Sequence, residues 1–327
     1  MYKFEPILKT LVWGTESWVL SSVPGSESVV AEGPEAGKTL SDVYGGEFPL
    51  LIKFIDARKD LSIQVHPGDE LAGKRHGGHG KDEMWYIIGA SEGAHLYSGL
   101  TKPLTPEEYA RRVEDGTIID VLGDHEVAPG DVFFIPSGRI HSICGGCYLA
   151  EIQQTSDITY RIYDYNRPGL DGKPRQLHTE LAKDAIDYTV KDDYRTHYVQ
   201  RANAPVELVK CPHFTTTLFE LSAPLSCPVP GGGRWLTVAC ASGSGTVNGA
   251  ALSAGQALLL TPLRDLPGPR PFHPRLPSPH QLLLASPHHR DQKCPFHSRF
   301  PLFRHFWLRI VLSTPAPVFF DHLISQP

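Results

Sequence analysis

Apolar residues in the first 263 positions come in short bursts, not at the three-and-four spacing of amphipathic helices. Leu50-Leu-Ile-Lys-Phe-Ile55 is a short apolar run with β-branched and aromatic content. Leu61-Ser-Ile-Gln-Val-His66 alternates strictly between apolar and polar, the pattern of a half-buried strand. Met84-Trp-Tyr-Ile-Ile88 and Asp131-Val-Phe-Phe-Ile135 read as further strands, each bounded by glycine or proline. Many short strands separated by turn signals predict a mainly β chain built as a sandwich or barrel.

One helix stands out. Thr105-Pro106-Glu107-Glu108 offers an N-cap, a proline at the first helical position and a glutamate at N3, which together make a capping box. The helix then runs through Tyr109-Ala-Arg-Arg-Val-Glu to Gly116, a natural stop. Thr179-Glu-Leu-Ala-Lys-Asp-Ala predicts a second, weaker helix.

A later β segment covers about 214–263. Leu236-Thr-Val-Ala and Ala257-Leu-Leu-Leu260 are its strands, with Gly243-Ser-Gly245 and Val247-Asn-Gly249 as turns. Gly255, a strand and Pro262 echo Gly130, a strand and Pro136. This suggests a second, degenerate copy of the same sheet unit. The copy has no histidine and is expected not to bind metal. Its last strands are expected to be missing, because it ends where the composition changes. Residues 264–327 hold 12 of the 29 prolines and 7 of the 16 histidines, with 8 Lys and Arg against 3 Asp and Glu. No hydrophobic periodicity survives in Pro267-Gly-Pro-Arg-Pro-Phe-His-Pro. Such a segment is expected to be poorly ordered, and its histidines have no scaffold to aim them. The predicted division is therefore 1–190 as a metal-binding unit with a short helical insert near 104–116, 191–263 as the degenerate β unit, and 264–327 as a Pro/His/Arg-rich tail.

The formal net charge of -5 gives no general attraction to nucleic acid or to an anionic membrane. No apolar run approaches the ~20 residues of a membrane span. The opening Met1-Tyr-Lys-Phe-Glu5 lacks the apolar stretch of a signal peptide, so a cytoplasmic location is expected. Six cysteines are too sparse for a disulfide scaffold. Cys144-Gly-Gly-Cys147 has no second pair to complete a zinc site and reads as two reduced thiols.

The candidate chemistry lies in four side chains. Gln64 and His66 stand two apart on one strand and so share a face. Glu83 precedes the strand at 84–88, and His141 closes Gly130-x5-Pro136-x-Gly138-x2-His141. Together they offer one amide oxygen, two imidazole nitrogens and one carboxylate oxygen, a mixed shell that suits zinc and leaves room for substrate.

The Gly-x5-Pro-x-Gly-x2-His spacing matches the second cupin motif residue for residue, whereas the usual His-x-His of the first motif is here Gln64-x-His66. The stretches 61–72 and 80–88, with Ala150-Glu-Ile-Gln-Gln-Thr-Ser-Asp-Ile-Thr-Tyr-Arg-Ile-Tyr-Asp-Tyr-Asn-Arg167 and Leu177-His-Thr-Glu-Leu-Ala182, resemble type I mannose-6-phosphate isomerases, most closely the short bacterial subgroup. The resemblance covers about 3–263. It implies two cupin-like β-barrel or jelly-roll units, and an aldose–ketose isomerase that interconverts mannose 6-phosphate and fructose 6-phosphate by zinc-assisted proton transfer through an enediol. It further implies one Zn2+ per chain on Gln64, His66, Glu83 and His141, catalytic roles for Arg161 and Glu151, and substrate contacts from Lys81 and Ser62. The partner expected is a small phosphosugar, with the oligomeric state left open between monomer and weak dimer. The links at 13–18 and 44–47 look shorter than in relatives, and the tail after Leu263 does not resemble the family. His76 and His79, in a glycine-rich loop, are candidates for the mouth of the site, and Asp157 for orienting Arg161. Competing readings are another metal-dependent cupin enzyme, such as an iron oxygenase, or a non-catalytic sugar-phosphate-binding cupin. Gln64 argues against the first, and the second needs neither a full ligand set nor Arg161.

Overall fold

The computed structural model describes residues 1–228, 235–261, 281–285 and 308–315. Six antiparallel strands form a first sheet in the order Val132–Ile135, Glu83–Ala90, Cys147–Gln154, Leu50–Ala57, Gly14–Leu20 and Ile7–Leu11. A five-stranded sheet faces it, ordered Leu122–Glu126, His95–Leu100, His141–Ile143, Ile63–Val65 and Tyr160–Tyr163. Between the two sheets lie Ile55, Trp85, Ile87, Phe133 and Leu149 against Leu61, Leu96 and Ile143.

The opposite face of the six-stranded sheet is covered too. Leu50, Ile52, Phe54, Met84, Tyr86 and Ile152 pack on Leu208, Phe214, Leu218 and Leu259 of a third sheet. This explains why Leu50–Ala57 is buried at every position and reads as a continuous apolar run instead of alternating. The third sheet runs Tyr2–Lys3, Ala257–Leu260, Leu236–Ser242, Leu308–Pro315, Phe214–Leu221 and Pro205–Lys210. Its far face, with Phe219, Leu221, Val238 and Ile310, meets Val247 and Leu252 of a four-stranded sheet. Two sandwiches are thus stacked on one another. The expectation of a mainly β fold holds, but that of barrels does not: among the described residues every sheet is open.

The capping-box helix is Pro106–Glu114, with Thr105 as N-cap and both reciprocal bonds made. The second expected helix is Thr179–Ala185. Both cover the outer face of the five-stranded sheet, where Tyr109, Ile118, Ala182 and Ile186 pack on Ile63, Val65, Tyr160 and Ile162. The helices Leu40–Tyr44 and Asp69–His76 were not expected from sequence. In the second unit the turn at 247–249 is present, with Asn248 and Gly249 both at positive φ, as a tight two-residue hairpin requires. The turn expected at 243–245 is shorter, because Ser244–Val247 is already a strand.

Within 264–327 two segments belong to the described residues, and both are strands. Gln281–Ala285 pairs with Leu225–Pro228 and with Ser244–Val247. Leu308–Pro315 lies between Phe214–Leu221 and Leu236–Ser242, antiparallel to each. The rest of the proposed tail lies outside the described residues. No helix among the described residues is long and apolar enough to cross a membrane.

Candidate metal centre

The apolar filling of the first sandwich gives way at one end to charged and polar side chains, set out in two facing rows. Residues paired across an antiparallel sheet share a face. On the six-stranded sheet, Lys53 pairs with Glu151, Glu151 with Trp85 and Trp85 with Phe133, while the next row brings Gln153 beside Glu83 and Glu83 beside Ile135. On the five-stranded sheet, Arg161 pairs with Gln64, Gln64 with His141 and His141 with Ser98. The alternation of Ile63–Val65 turns Ile63 and Val65 outward to the helices and Gln64 inward, with His66 following on the inner side.

His66, Glu83 and His141 converge from the two sheets, with one ligand atom of each within 4.8 Å of the others. His66 Nε2 lies 3.6 Å from Glu83 Oε2, and His141 Nε2 lies 3.4 Å from Glu83 Oε1. The other ring nitrogen of each histidine faces a backbone carbonyl: Nδ1 of His66 is 2.9 Å from Ile158 O, and Nδ1 of His141 is 2.8 Å from Arg139 O. A carbonyl only accepts, so each Nδ1 carries the proton and each Nε2 keeps a free lone pair directed at the cluster. Gln64 Nε2 lies 3.2 Å from His141 Nε2 and donates to it as oriented. Its amide oxygen is at the other end of a group whose two orientations are nearly isosteric.

Electrostatics reinforce this arrangement. Burial drives His141 down to about 3 and, with the Lys81 charge, holds His66 well below the usual imidazole range. Both are therefore neutral, the form that binds metals. Glu83 is fully buried, neither oxygen accepts an aligned hydrogen bond, and burial together with Glu151 pushes its carboxyl up. Lys81 Nζ stands 2.6 Å from Glu83 Oε2, 3.2 Å from His66 Nε2 and 3.8 Å from Glu151 Oε1. Two unprotonated imidazole Nε2 atoms and a buried carboxylate, gathered within 4.8 Å of one another, fit a divalent cation of borderline softness, which would take the places that Gln64 and Lys81 hold beside them.

Glu151 sits beside this cluster. It accepts from Lys53 at 2.9 Å and from Trp85 Nε1 at 3.0 Å. Burial alone would raise it, but Lys53 and Lys81 hold it well below the usual carboxylate range. Burial likewise would lower Lys53, and Glu151 with Glu16 more than offsets that, so its ammonium is raised. Arg161 enters from the edge strand. Its Nη1 donates to Gln176 O at 2.9 Å, while its buried Nε has no partner. Ser62 is buried just before Ile63–Val65.

Other expected residues lie elsewhere. His76 ends the helix Asp69–His76 and bonds to Tyr160 OH at 2.8 Å, so it is not a loop residue. His79 is exposed and pairs with Glu47 at 3.0 Å. Asp157 is exposed, and Arg161 is oriented by a carbonyl instead. Cys144 and Cys147 are buried free thiols, raised by burial. Sequence reasoning missed Lys53 and Gln153, although a lysine inside the apolar run at 50–55 was a visible signal.

The family profile for the catalytic domain of type I phosphomannose isomerase matches residues 15–93. The chain is 36% identical over 255 residues to the probable mannose-6-phosphate isomerase GmuF of Bacillus subtilis, covering 68% of this chain and 81% of that protein. It is 34% identical over 253 residues to mannose-6-phosphate isomerase ManA of the same organism, covering 68% and 80%. The crystal structure of a mannose 6-phosphate isomerase from B. subtilis superposes with a TM-score of 0.78 at 26% identity, over 96% of this chain and 99% of that one. The chain belongs to the type I phosphomannose isomerase family.

Proposed function

We propose that the protein interconverts mannose 6-phosphate and fructose 6-phosphate through an enediol, with one zinc ion held by His66, Glu83, His141 and the amide oxygen of Gln64. The observation that carries this reading is the buried His66–Glu83–His141 cluster with both Nε2 lone pairs turned inward. When bound, a divalent ion there supplies Lewis acidity toward the sugar's carbonyl and adjacent hydroxyl, worth several kcal/mol of charge stabilisation.

The chain's own side chains divide the remaining work. Aldose–ketose exchange moves one proton between neighbouring carbons, and the carbon acid is weak. Glu151 is the carboxylate assigned to proton transfer: it stands outside the His/Glu/His cluster, and Lys53 and Lys81 keep it ionised and able to accept. Its low basicity requires that the sugar oxygen be strongly polarised as the proton leaves. Arg161 contributes to that polarisation. Burial and the charge of Arg175 lower its guanidinium, yet arginine remains protonated at any working pH. Its buried, unpartnered Nε is a preorganised donor for charge that develops during the reaction. Lys81, beside Glu83 and Glu151, and Ser62, buried just before Ile63–Val65, are assigned to substrate oxygens.

A coupled assay on mannose 6-phosphate in 2H2O tests the reading. Expected are turnover that a chelator abolishes and zinc restores, and solvent deuterium incorporated at C1 of the fructose 6-phosphate. Turnover indifferent to chelation would remove the metal. Complete retention of the substrate's own hydrogen would point to hydride transfer and against an enediol.

A further inference from the structure

Asp69 and Asp82 bracket the loop that carries Lys81 and Glu83. Asp69 opens the helix Asp69–His76, and its Oδ1 accepts from Gly80 N at 2.7 Å and from Gln154 Nε2 at 3.1 Å. The loop runs so close to this helix that a Cβ on Gly80 would stand 2.5 Å from Asp69 N. Asp82 is tied as firmly. Its Oδ1 accepts from Ser137 N at 2.8 Å, its N donates to Gln154 Oε1 at 2.8 Å, and its carbonyl accepts from Gln154 N at 3.1 Å. One oxygen of each aspartate is thus used in fixing the loop.

The two remaining oxygens face a single atom of the other unit. His213 Nε2 lies 3.7 Å from Asp69 Oδ2 and 3.6 Å from Asp82 Oδ2. His213 occupies the turn between Pro205–Lys210 and Phe214–Leu221, a turn closed by Cys211 N to Phe214 O at 2.9 Å. Facing two carboxylate oxygens, this nitrogen interacts favourably with them in the tautomer that carries its proton. The contacts are electrostatic and too long for tight hydrogen bonds. Solvent screens the Asp69 side more than the Asp82 side, whose side chain is only 10% exposed.

We propose that His213 is a positioning residue for the metal-binding loop. By bridging the outward oxygens of Asp69 and Asp82 it holds residues 80–83 against the helix, so that the second unit helps set where Glu83 and Lys81 stand. The proposal rests on the ligand assignment given under the proposed function. It gives the second β unit, which has no place in the ligand set, a part in the chemistry.

Zinc binding by the intact chain, measured by competition with a chromogenic chelator, tests it without recourse to activity. In His213→Gln the amide nitrogen falls near the position of Nε2, so zinc affinity should stay close to the parent's. In His213→Asn the amide falls near Nδ1 and cannot reach both carboxylates, so affinity should drop by about 3- to 10-fold, less than the ~10- to 100-fold that direct partners of metal ligands cost, with kcat falling alongside. Both changes are polar and lie in a partly exposed turn, so the thermal midpoint of the zinc-free protein should not separate them. Equal affinity in the Asn variant and the parent, or equal losses in Asn and Gln, would overturn the role of His213. His141→Ala, titrated in parallel, must lose zinc. If it does and His213→Asn binds as the parent does, the positioning role alone fails; if His141→Ala binds zinc normally, the ligand assignment itself has failed.

Discussion

Lys53 Nζ lies 2.9 Å from Glu151 Oε1, and the two residues are register partners on adjacent strands with less than a tenth of either side chain exposed. A buried pair of this kind costs desolvation on both sides, and removing one partner strands the other. Lys53→Met should destabilise the fold by about 3 kcal/mol, at the lower end for such losses because Trp85 and Lys81 still face Glu151. The double change Lys53→Met with Glu151→Leu should recover most of that stability and leave no turnover. Urea unfolding of the two variants, read beside the isomerase assay, checks both halves. A double variant no more stable than Lys53→Met would show that the pair is not a self-contained unit.

His141 has a fully buried ring, and its Nε2 is oriented by the bond from Nδ1 to Arg139 O. His141→Ala should bring bound zinc from one per chain to near zero and abolish turnover, while the folded state survives because Trp85, in edge contact with the ring, keeps its other neighbours. Elemental analysis and circular dichroism decide this. Full metal content in the variant contradicts the assignment.

Arg161→Ala should retain zinc and lose turnover by ~10²- to 10³-fold, the range for removing one preorganised donor at a developing charge. Arg161→Lys should not restore it, since an ammonium cannot both reach Gln176 O and present a second donor in the place of Nε. Turnover within a factor of about 2 of the parent's would take Arg161 out of the mechanism.

Much of the proposed site was legible because the candidate ligands fall on short elements with strict alternation. Gln64 and His66 share a face in any strand, and the glycine–proline spacing before His141 fixes where that strand begins. The alternation, however, does not say which face is inside. At 63–66 Gln64 and His66 point into the sandwich and the apolar Ile63 and Val65 point outward, because the helices Pro106–Glu114 and Thr179–Ala185 cover the outer face. Lys53 is a related case: its strand is covered on both sides, so the apolar run marks burial without saying which face the one charged residue takes or what it pairs with. The helix Asp69–His76 was missed because its one fully buried apolar residue is Ala72 and its N-cap is a glycine with no side-chain bond, so no apolar stripe marks it; its acidic first turn, basic last turn and closing Gly77 were the signals available.

Asp164 offers a pH-dependent test away from the metal ligands. Burial alone would raise its carboxyl, but hydrogen bonds from Arg175 and Arg167 more than offset that and hold it below the ordinary value. Its folded value lies below the unfolded ~3.9, so its contribution is complete above that value and is lost as pH falls through the lower, folded one. Asp164→Asn should cost about 1–3 kcal/mol at pH 7, as for hydrogen bonds to a charged group. The gap from the parent should narrow as pH falls below about 4. Paired unfolding curves from pH 7 to pH 2 measure this; a gap that widens toward acid would reverse the sign of the argument.

The strand Leu308–Pro315 bears on how much of the chain the second unit needs. It pairs along its whole length with Phe214–Leu221 and on its other side with Leu236–Ser242, so it fills the interior of a sheet and is not an added edge. Ile310 is buried in the core toward the four-stranded sheet, and Val311 in the core shared with the metal-binding unit. A chain ending at residue 307 would leave two strand edges unpaired and open both cores at once. Such edges are templates for association, so the shortened chain should aggregate or bind a hydrophobic dye in its monomeric state. Ile310→Ala, which removes side-chain volume and keeps every backbone pairing, should cost only about 2–5 kcal/mol and leave the oligomeric state as in the parent. A chain ending at 307 that keeps the parent's oligomeric state and unfolds at the parent's midpoint would show that the second sheet closes without this strand.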